Sequence, residues 1–166
     1  SLRPRAVGAT LHVNNEAAQR LSGVFRSAQR GITWQAMDLP GTVESTGFYG
    51  IHVGRQGRNH FSMIADPTSP SILYIGGDRQ PGKTSAGPLG EPTFPNASGA
   101  EKSTARLFRG DASLASGSQW VAITDSPIDP NGTGSSPHAD SRAMAFQGIH
   151  LLQADDGGIY RFGARV

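Results

Sequence analysis

Val24-Phe25-Arg26, Leu107-Phe108-Arg109 and Ile159-Tyr160-Arg161 are three copies of one pattern: an aliphatic residue, an aromatic residue and an arginine. Each copy follows a short apolar run, Thr10-Leu11-His12-Val13, then Ile72-Leu73-Tyr74-Ile75, then Ile149-His150-Leu151-Leu152. The first two copies are followed by Gly-x-x-Trp, Gly31 to Trp34 and Gly117 to Trp120. After each tryptophan comes a segment ending in aspartate, Trp34-Gln35-Ala36-Met37-Asp38 and Trp120-Val121-Ala122-Ile123-Thr124-Asp125. Runs of roughly four to six residues between turn signals are too short for amphipathic helices and read as strands. One more run precedes the second and third copies, Phe61-Ser62-Met63-Ile64-Ala65 and Arg142-Ala143-Met144-Ala145-Phe146. A full unit therefore has four strands, A to D from the innermost outward.

Composition agrees with a turn-rich chain. The 166 residues include 22 glycines and 11 prolines, about one residue in five, against ~12% in ordinary proteins and ~25–30% in disordered ones. Charged residues make up 17% and hydrophobic residues 36%, and no apolar run approaches the ~18 residues of a membrane span. Collagen, coiled coils and spanning helices are excluded. Lysine and arginine number 15 against 13 acidic residues, a net charge of +2, and the arginines are scattered. No basic stripe points to nucleic acid. The absence of cysteine rules out disulfides and thiolate metal sites and leaves the redox compartment open. No apolar stretch follows the arginines of Ser1 to Thr10, so a signal peptide is not read there. A secreted, extracellular protein of bacterial type is the expected setting.

Four-stranded units in tandem predict an all-β chain and, more narrowly, a partial β-propeller of about two and a half antiparallel blades with long loops. Residues 9–38 form part of a blade, 60–125 a full blade and 138–162 a partial one. Residues 78–105 are a Gly/Pro/Ser/Thr-rich loop inserted between strands B and C of the middle blade, and Ser126 to Pro137 join it to the last. Closure takes ~4–8 blades, so residues 1–166 are expected to be one segment of a longer propeller, in contact with the parent's remaining blades. On its own the chain would leave open strand edges and an uncovered blade face, which predicts oligomers or aggregates.

Ser27-Ala28-Gln29-Arg30-Gly31-Ile32-Thr33-Trp34 resembles the Asp-box, the Ser-x-Asp-x-Gly-x-Thr-Trp hairpin of sialidase-like, xyloglucanase-like and sortilin-like propellers (BNR repeats). Ser27, Gly31, Thr33 and Trp34 fall in register, and Gln29 stands at the aspartate position. The second copy keeps Gly117 and Trp120 with a longer turn. Asp66-Pro67 resembles the A-to-B turn of the same families, and Asp155-Asp156-Gly157-Gly158 their B-to-C turn. The resemblance implies that each tryptophan is buried between neighbouring blades, removing ~200 Å² from water, about 5 kcal/mol gross. It also implies a glycan or protein ligand at a loop-rich face, or glycoside hydrolysis, or a structural scaffold, because one fold serves many functions.

Two motifs are decoys. Gly77-Asp78-Arg79-Gln80-Pro81-Gly82-Lys83-Thr84 matches a phosphate-binding loop, but Ser85-Ala86-Gly87-Pro88-Leu89-Gly90-Glu91-Pro92 cannot propagate the helix that such a loop requires. Arg109-Gly110-Asp111 reads as a repeat arginine followed by a turn. Up-and-down topology brings the B-to-C and D-to-A loops to one face, with Asn14, Asn15, Glu16, His52, Arg55, Arg58, His60, Asp78, Arg79, His138, Asp140, Arg142, Asp155 and Asp156. The expected binding set is His52, Arg58, His60, Asp78, Arg79, His138 and Arg142. Glycoside hydrolysis needs two carboxylates across a cleft, ~5 or ~6.5–9.5 Å apart, and the candidates are Asp140 with Asp155 or Asp156. The competing expectation is that Asp155 and Asp156 bond their own turn. For a sialidase, Arg58, Arg79 and Arg142 offer an arginine triad but no Tyr–Glu pair accompanies them, so a neutral glycan is favoured. Calcium at Asp155 and Asp156 is a further reading, since hard oxygen ligands gather there.

Overall fold

The stretch Ile72-Leu73-Tyr74-Ile75-Gly76-Gly77-Asp78-Arg79 is a strand buried on both faces along nearly its whole length, which only a sheet covered on both sides allows. The computed structural model describes residues 7–9, 19–44, 47–80, 104–124 and 137–162. Among them the chain is all-β, with no helix. The strands are β1 (Val7–Ala9), β2 (Val24–Ser27), β3 (Gln35–Met37), β4 (Gly41–Glu44), β5 (Gly47–Gly50), β6 (Ser62–Ala65), β7 (Ile72–Arg79), β8 (Ala105–Asp111), β9 (Trp120–Ala122), β10 (Ala143–Gln147), β11 (His150–Asp155) and β12 (Gly158–Arg161). Every pairing is antiparallel between sequence neighbours. The sheets run β1-β2-β3, β6-β7-β8-β9 and β10-β11-β12, with β4-β5 a separate hairpin.

The three triplets lie on β2, β8 and β12, the second strand of the first sheet and the third of the other two. Strand alternation sends the two apolar members of each triplet to opposite faces. Leu107 joins Tyr74, Ile123, Leu151 and Phe162 in a core between the central sheet and β10-β11-β12. Phe108 joins Val24, Leu73 and Ile75 in a second core toward β1-β2-β3, with Met37 and Trp120 against it. The middle sheet is thus packed on both sides, and that packing makes β7 almost continuously apolar.

Polar links hold the layers in register. The Trp120 indole N–H donates to the Asp38 carbonyl (2.7 Å), the Asp38 carboxylate accepts from the Gly117 N–H and the Ser116 hydroxyl (both 2.7 Å), and the Asp38 N–H donates to Gln119 Oε1 (2.8 Å). The Ser116 and Gly117 bonds hold the Asp38 carboxyl below its ordinary range, the Ser116 hydroxyl contributing most. Trp120 lies over Gly110, where a Cβ would strike its ring; that explains the glycine of Arg109-Gly110-Asp111, while Asp111 caps the following turn through Ser113.

Two sequence expectations change, and a third lies outside the described residues. The strand expected at Thr10–Val13 lies outside the described residues, and β1 precedes it. The inserted segment begins later than residue 78, because β7 continues to Arg79 across an irregularity after Gly76. Trp34, expected to be buried, is 44% exposed, because among the described residues no sheet lies on its side of β1-β2-β3. The β4-β5 hairpin was not foreseen. Its anchor is Arg106, fully buried on β8, which donates to the carbonyls of Tyr49 and Gly50 (both 2.8 Å), to Thr42 Oγ1 (2.6 Å) and to Gln80 Oε1.

Candidate functional site

Residues 137–142 carry the chain to the start of β10, and they are tied to the end of β7. The Asp140 N–H donates to the Asp78 carbonyl (2.8 Å) and the Ser141 N–H to the Gly77 carbonyl (2.9 Å). Below them Ser62 and Ser141 share a buried hydroxyl–hydroxyl bond (2.6 Å), with the Gln153 amide donating to Ser141 Oγ (3.3 Å). Asp140 has φ 74°, a left-handed conformation uncommon outside glycine but tolerated by aspartate. On this anchored backbone its carboxylate stands 2.9 Å from His60 Nδ1.

The next residues complete a charged group at the seam between two sheets. Arg142 grips Asp156 with two hydrogen bonds, Nε to Oδ1 (2.6 Å) and Nη2 to Oδ2 (3.1 Å), and its Nη1 donates to the Asn59 carbonyl (3.2 Å). The Arg142 bonds hold the Asp156 carboxyl below the usual carboxylate range, and Asp156 in turn raises Arg142. His60 is almost wholly buried, whereas Arg142 and Asp156 are open to solvent. One side-chain ligand atom each from His60, Asp140 and Asp156 lies within 4.8 Å of the others. A histidine with two carboxylates is a set that transition metals accept, but the Arg142 guanidinium already occupies both oxygens of Asp156 and opposes a cation there.

Other expected members are placed differently. Asp155 accepts the N–H groups of Gly157 and Gly158 on Oδ1 (2.8 and 3.0 Å), so it caps its own turn; burial, the larger effect, raises its carboxyl. Asp155 is bonded to the turn through Oδ1, and Asp156 to Arg142 through both oxygens. His138 packs on Gly157, where a Cβ would meet its ring. His52 is 2% exposed: the Leu21 N–H donates to its Nδ1 (3.0 Å), leaving the proton on Nε2 for the His60 carbonyl (2.9 Å). No face of that ring is left for a ligand. Asp78 is fully buried, and burial raises its carboxyl to about 6 despite N–H bonds from Arg79, Gln56 and Gly54. Arg58 is exposed and Arg79 half-buried, while Asn14, Asn15 and Glu16 lie outside the described residues.

On the hairpin between β2 and β3, Ser27 Oγ accepts the N–H groups of Gly31 (2.7 Å) and Gln29 (3.3 Å), and Thr33 donates to Gln29 Oε1 (3.3 Å). Gln29 thus bonds within the turn through its longer side chain. The phosphate-loop decoy loses its glycine argument as well. Gly77 is small because a Cβ would collide with the Ile51 carbonyl, which accepts the Asp78 N–H. Sequence reasoning missed a cleft of about 180 Å³ lined by Arg20, Leu39, Phe48, Tyr49 and Val53, because it missed the hairpin that forms one wall. No protein-family model, curated protein or solved structure compared with the chain gives a match.

Proposed function

We propose that the chain is part of an Asp-box-type β-propeller that binds a glycan or a protein ligand at the face bearing His60, Asp140, Arg142 and Asp156. The observation that carries this reading is the placement of that quartet: four polar side chains converge where two successive sheets meet, two of them open to solvent and two held by buried backbone. Carboxylates and a guanidinium at fixed spacing accept and donate to neighbouring sugar hydroxyls, which favours a neutral glycan. The sequential three- and four-stranded meanders, packed face to face, support the propeller reading.

The hydrolase reading has one observation in its favour: oxygens of Asp140 and Asp156 lie within 4.8 Å, close to the ~5 Å separation of retaining enzymes. Against it, Asp156 is clamped as an anion. The carboxyl most strongly raised toward working pH, Asp78, is fully buried where no substrate reaches it. Binding is therefore the preferred function. The test is a glycan array followed by calorimetric titration of the leading hits against Arg142→Ala and Asp140→Asn. Both substitutions should lower affinity at least tenfold with unchanged circular dichroism. Binding that survives both removes the quartet from the site, and turnover of a polysaccharide that Asp140→Asn abolishes restores the enzyme.

A further inference from the structure

The segment entering β2 and the β4-β5 hairpin enclose the cleft of about 180 Å³. Its floor is firm. Ile51, His52 and Val53 are each at most 2% exposed, and both nitrogens of the His52 ring are engaged, by the Leu21 N–H and the His60 carbonyl. Its lips are open, with Leu39 40% and Phe48 53% exposed. The Phe48 ring still has a defined seat, because it lies across Gly41, where a Cβ would strike it.

Among the described residues Arg20 is the one charged side chain that lines the cleft, and it is exposed. The backbone on both sides of it is held. Gln19 has φ 46°, a left-handed conformation that costs a glutamine energy. Its carbonyl accepts the Gly57 N–H (2.9 Å), and on the other side the Leu21 N–H donates to His52 Nδ1 (3.0 Å). Residue 57 is a glycine because a Cβ there would collide with the Gln19 carbonyl and the His52 ring. Strain that neighbouring bonds maintain collects where a ligand is gripped, and here it fixes the backbone that carries Arg20.

We propose that this cleft binds a small aryl carboxylate, its ring against Phe48, Leu39 and Val53 and its carboxylate paired with Arg20. Size sets the first limit: an apolar cavity of ~150 Å³ holds benzene, so this one takes a single ring and leaves a polar substituent at the mouth. Charge sets the second. A guanidinium with no acid in the lining selects an anion, and its planar fork matches the two oxygens of a carboxylate. Wall chemistry sets the third. Aliphatic and aromatic side chains cover a flat ring well, whereas the hydroxyls of an acidic sugar would be buried there with few partners, at a cost. The cleft shares no lining residue with the His60, Asp140, Arg142 and Asp156 quartet, so the two sites fail or stand separately.

The test titrates phenylacetate, phenylacetamide and glucuronate into the full chain, read by ligand saturation-transfer NMR. Phenylacetate should bind with a Kd of ~1 mM, ordinary for a ligand of this size, and the amide roughly threefold to fivefold more weakly, as loss of one exposed ion pair implies. Arg20→Gln should bring the acid down to the affinity of the amide and leave the amide unchanged. Phe48→Ala should weaken both about fivefold, and Ile32→Ala, exposed on the β2-β3 turn, should alter neither. Arg20 is exposed, so Arg20→Gln should keep the circular dichroism of the parent. No saturation by phenylacetate, equal affinities for acid and amide, or an acid affinity that Arg20→Gln leaves intact would each overturn the proposal. Glucuronate binding more tightly than phenylacetate would put a sugar in place of the ring and overturn it as well.

Discussion

Replacing Arg106 with methionine should loosen one part of the molecule before the rest. Methionine keeps the apolar stem, which packs with the guanidinium 5.3 Å from the centre of the Phe108 ring, and removes the charge. Left behind are the Tyr49 and Gly50 carbonyls, the Thr42 hydroxyl and the Gln80 amide oxygen, all of which Arg106 satisfies. Burial already lowers the Arg106 pKa to about 10, so the guanidinium bears a desolvation cost that methionine relieves. Unsatisfied buried acceptors cost ~1–3 kcal/mol each, and breaking buried charge networks costs ~3–5 kcal/mol. A net loss of about 3–4 kcal/mol is expected, roughly 10 °C in Tm for a chain of this size. Urea unfolding gives the total, and amide hydrogen exchange gives its location: Thr42 to Tyr49 should lose protection while Leu73 and Leu107 keep theirs. A loss below about 1 kcal/mol, or exchange accelerated uniformly, would refute the argument that Arg106 fastens the hairpin.

Two further perturbations test the interior. Asp78 has a raised folded pKa of about 6 against 3.8 unfolded, so between those values the folded state binds the extra proton and this group's contribution to stability falls as pH rises from about 4 to about 6. Asp78→Asn should remove that slope, worth up to about 3 kcal/mol, and urea midpoints of both proteins from pH 4 to 7 would expose a failure if the curves stay parallel. Gly77→Ala should destabilise by about 1–3 kcal/mol or more through collision with the Ile51 carbonyl; an unchanged calorimetric Tm would show that the strand shifts freely.

The strands that sequence revealed are those whose two faces have different neighbours. Alternation in Leu107-Phe108 and the spacing from Gly117 to Trp120 express a sheet packed on both sides, and such packing leaves a period in the letters. The β4-β5 hairpin left none. Gly41-Thr42-Val43-Glu44 and Gly47-Phe48-Tyr49-Gly50 expose Val43 and Phe48 and are fixed from outside by Arg106, a partner more than fifty residues distant. At the site, local sequence singled out Asp140, Arg142 and Asp156, which the fold brings to one seam. The burial of His52 and Asp78 was not legible, because polar letters do not reveal whether backbone N–H and C=O groups already engage them. Asp155 went to its own turn because two glycines follow Asp156 and present N–H groups at the right distance.

The clasp at Asp38 has a consequence for how two sheets part. The residue that closes one repeat fastens the turn of the next, and Asp125 stands at the same place in the second copy. The clasp joins the end of β3 to the turn before β9, so cutting it from either side should free both ends together.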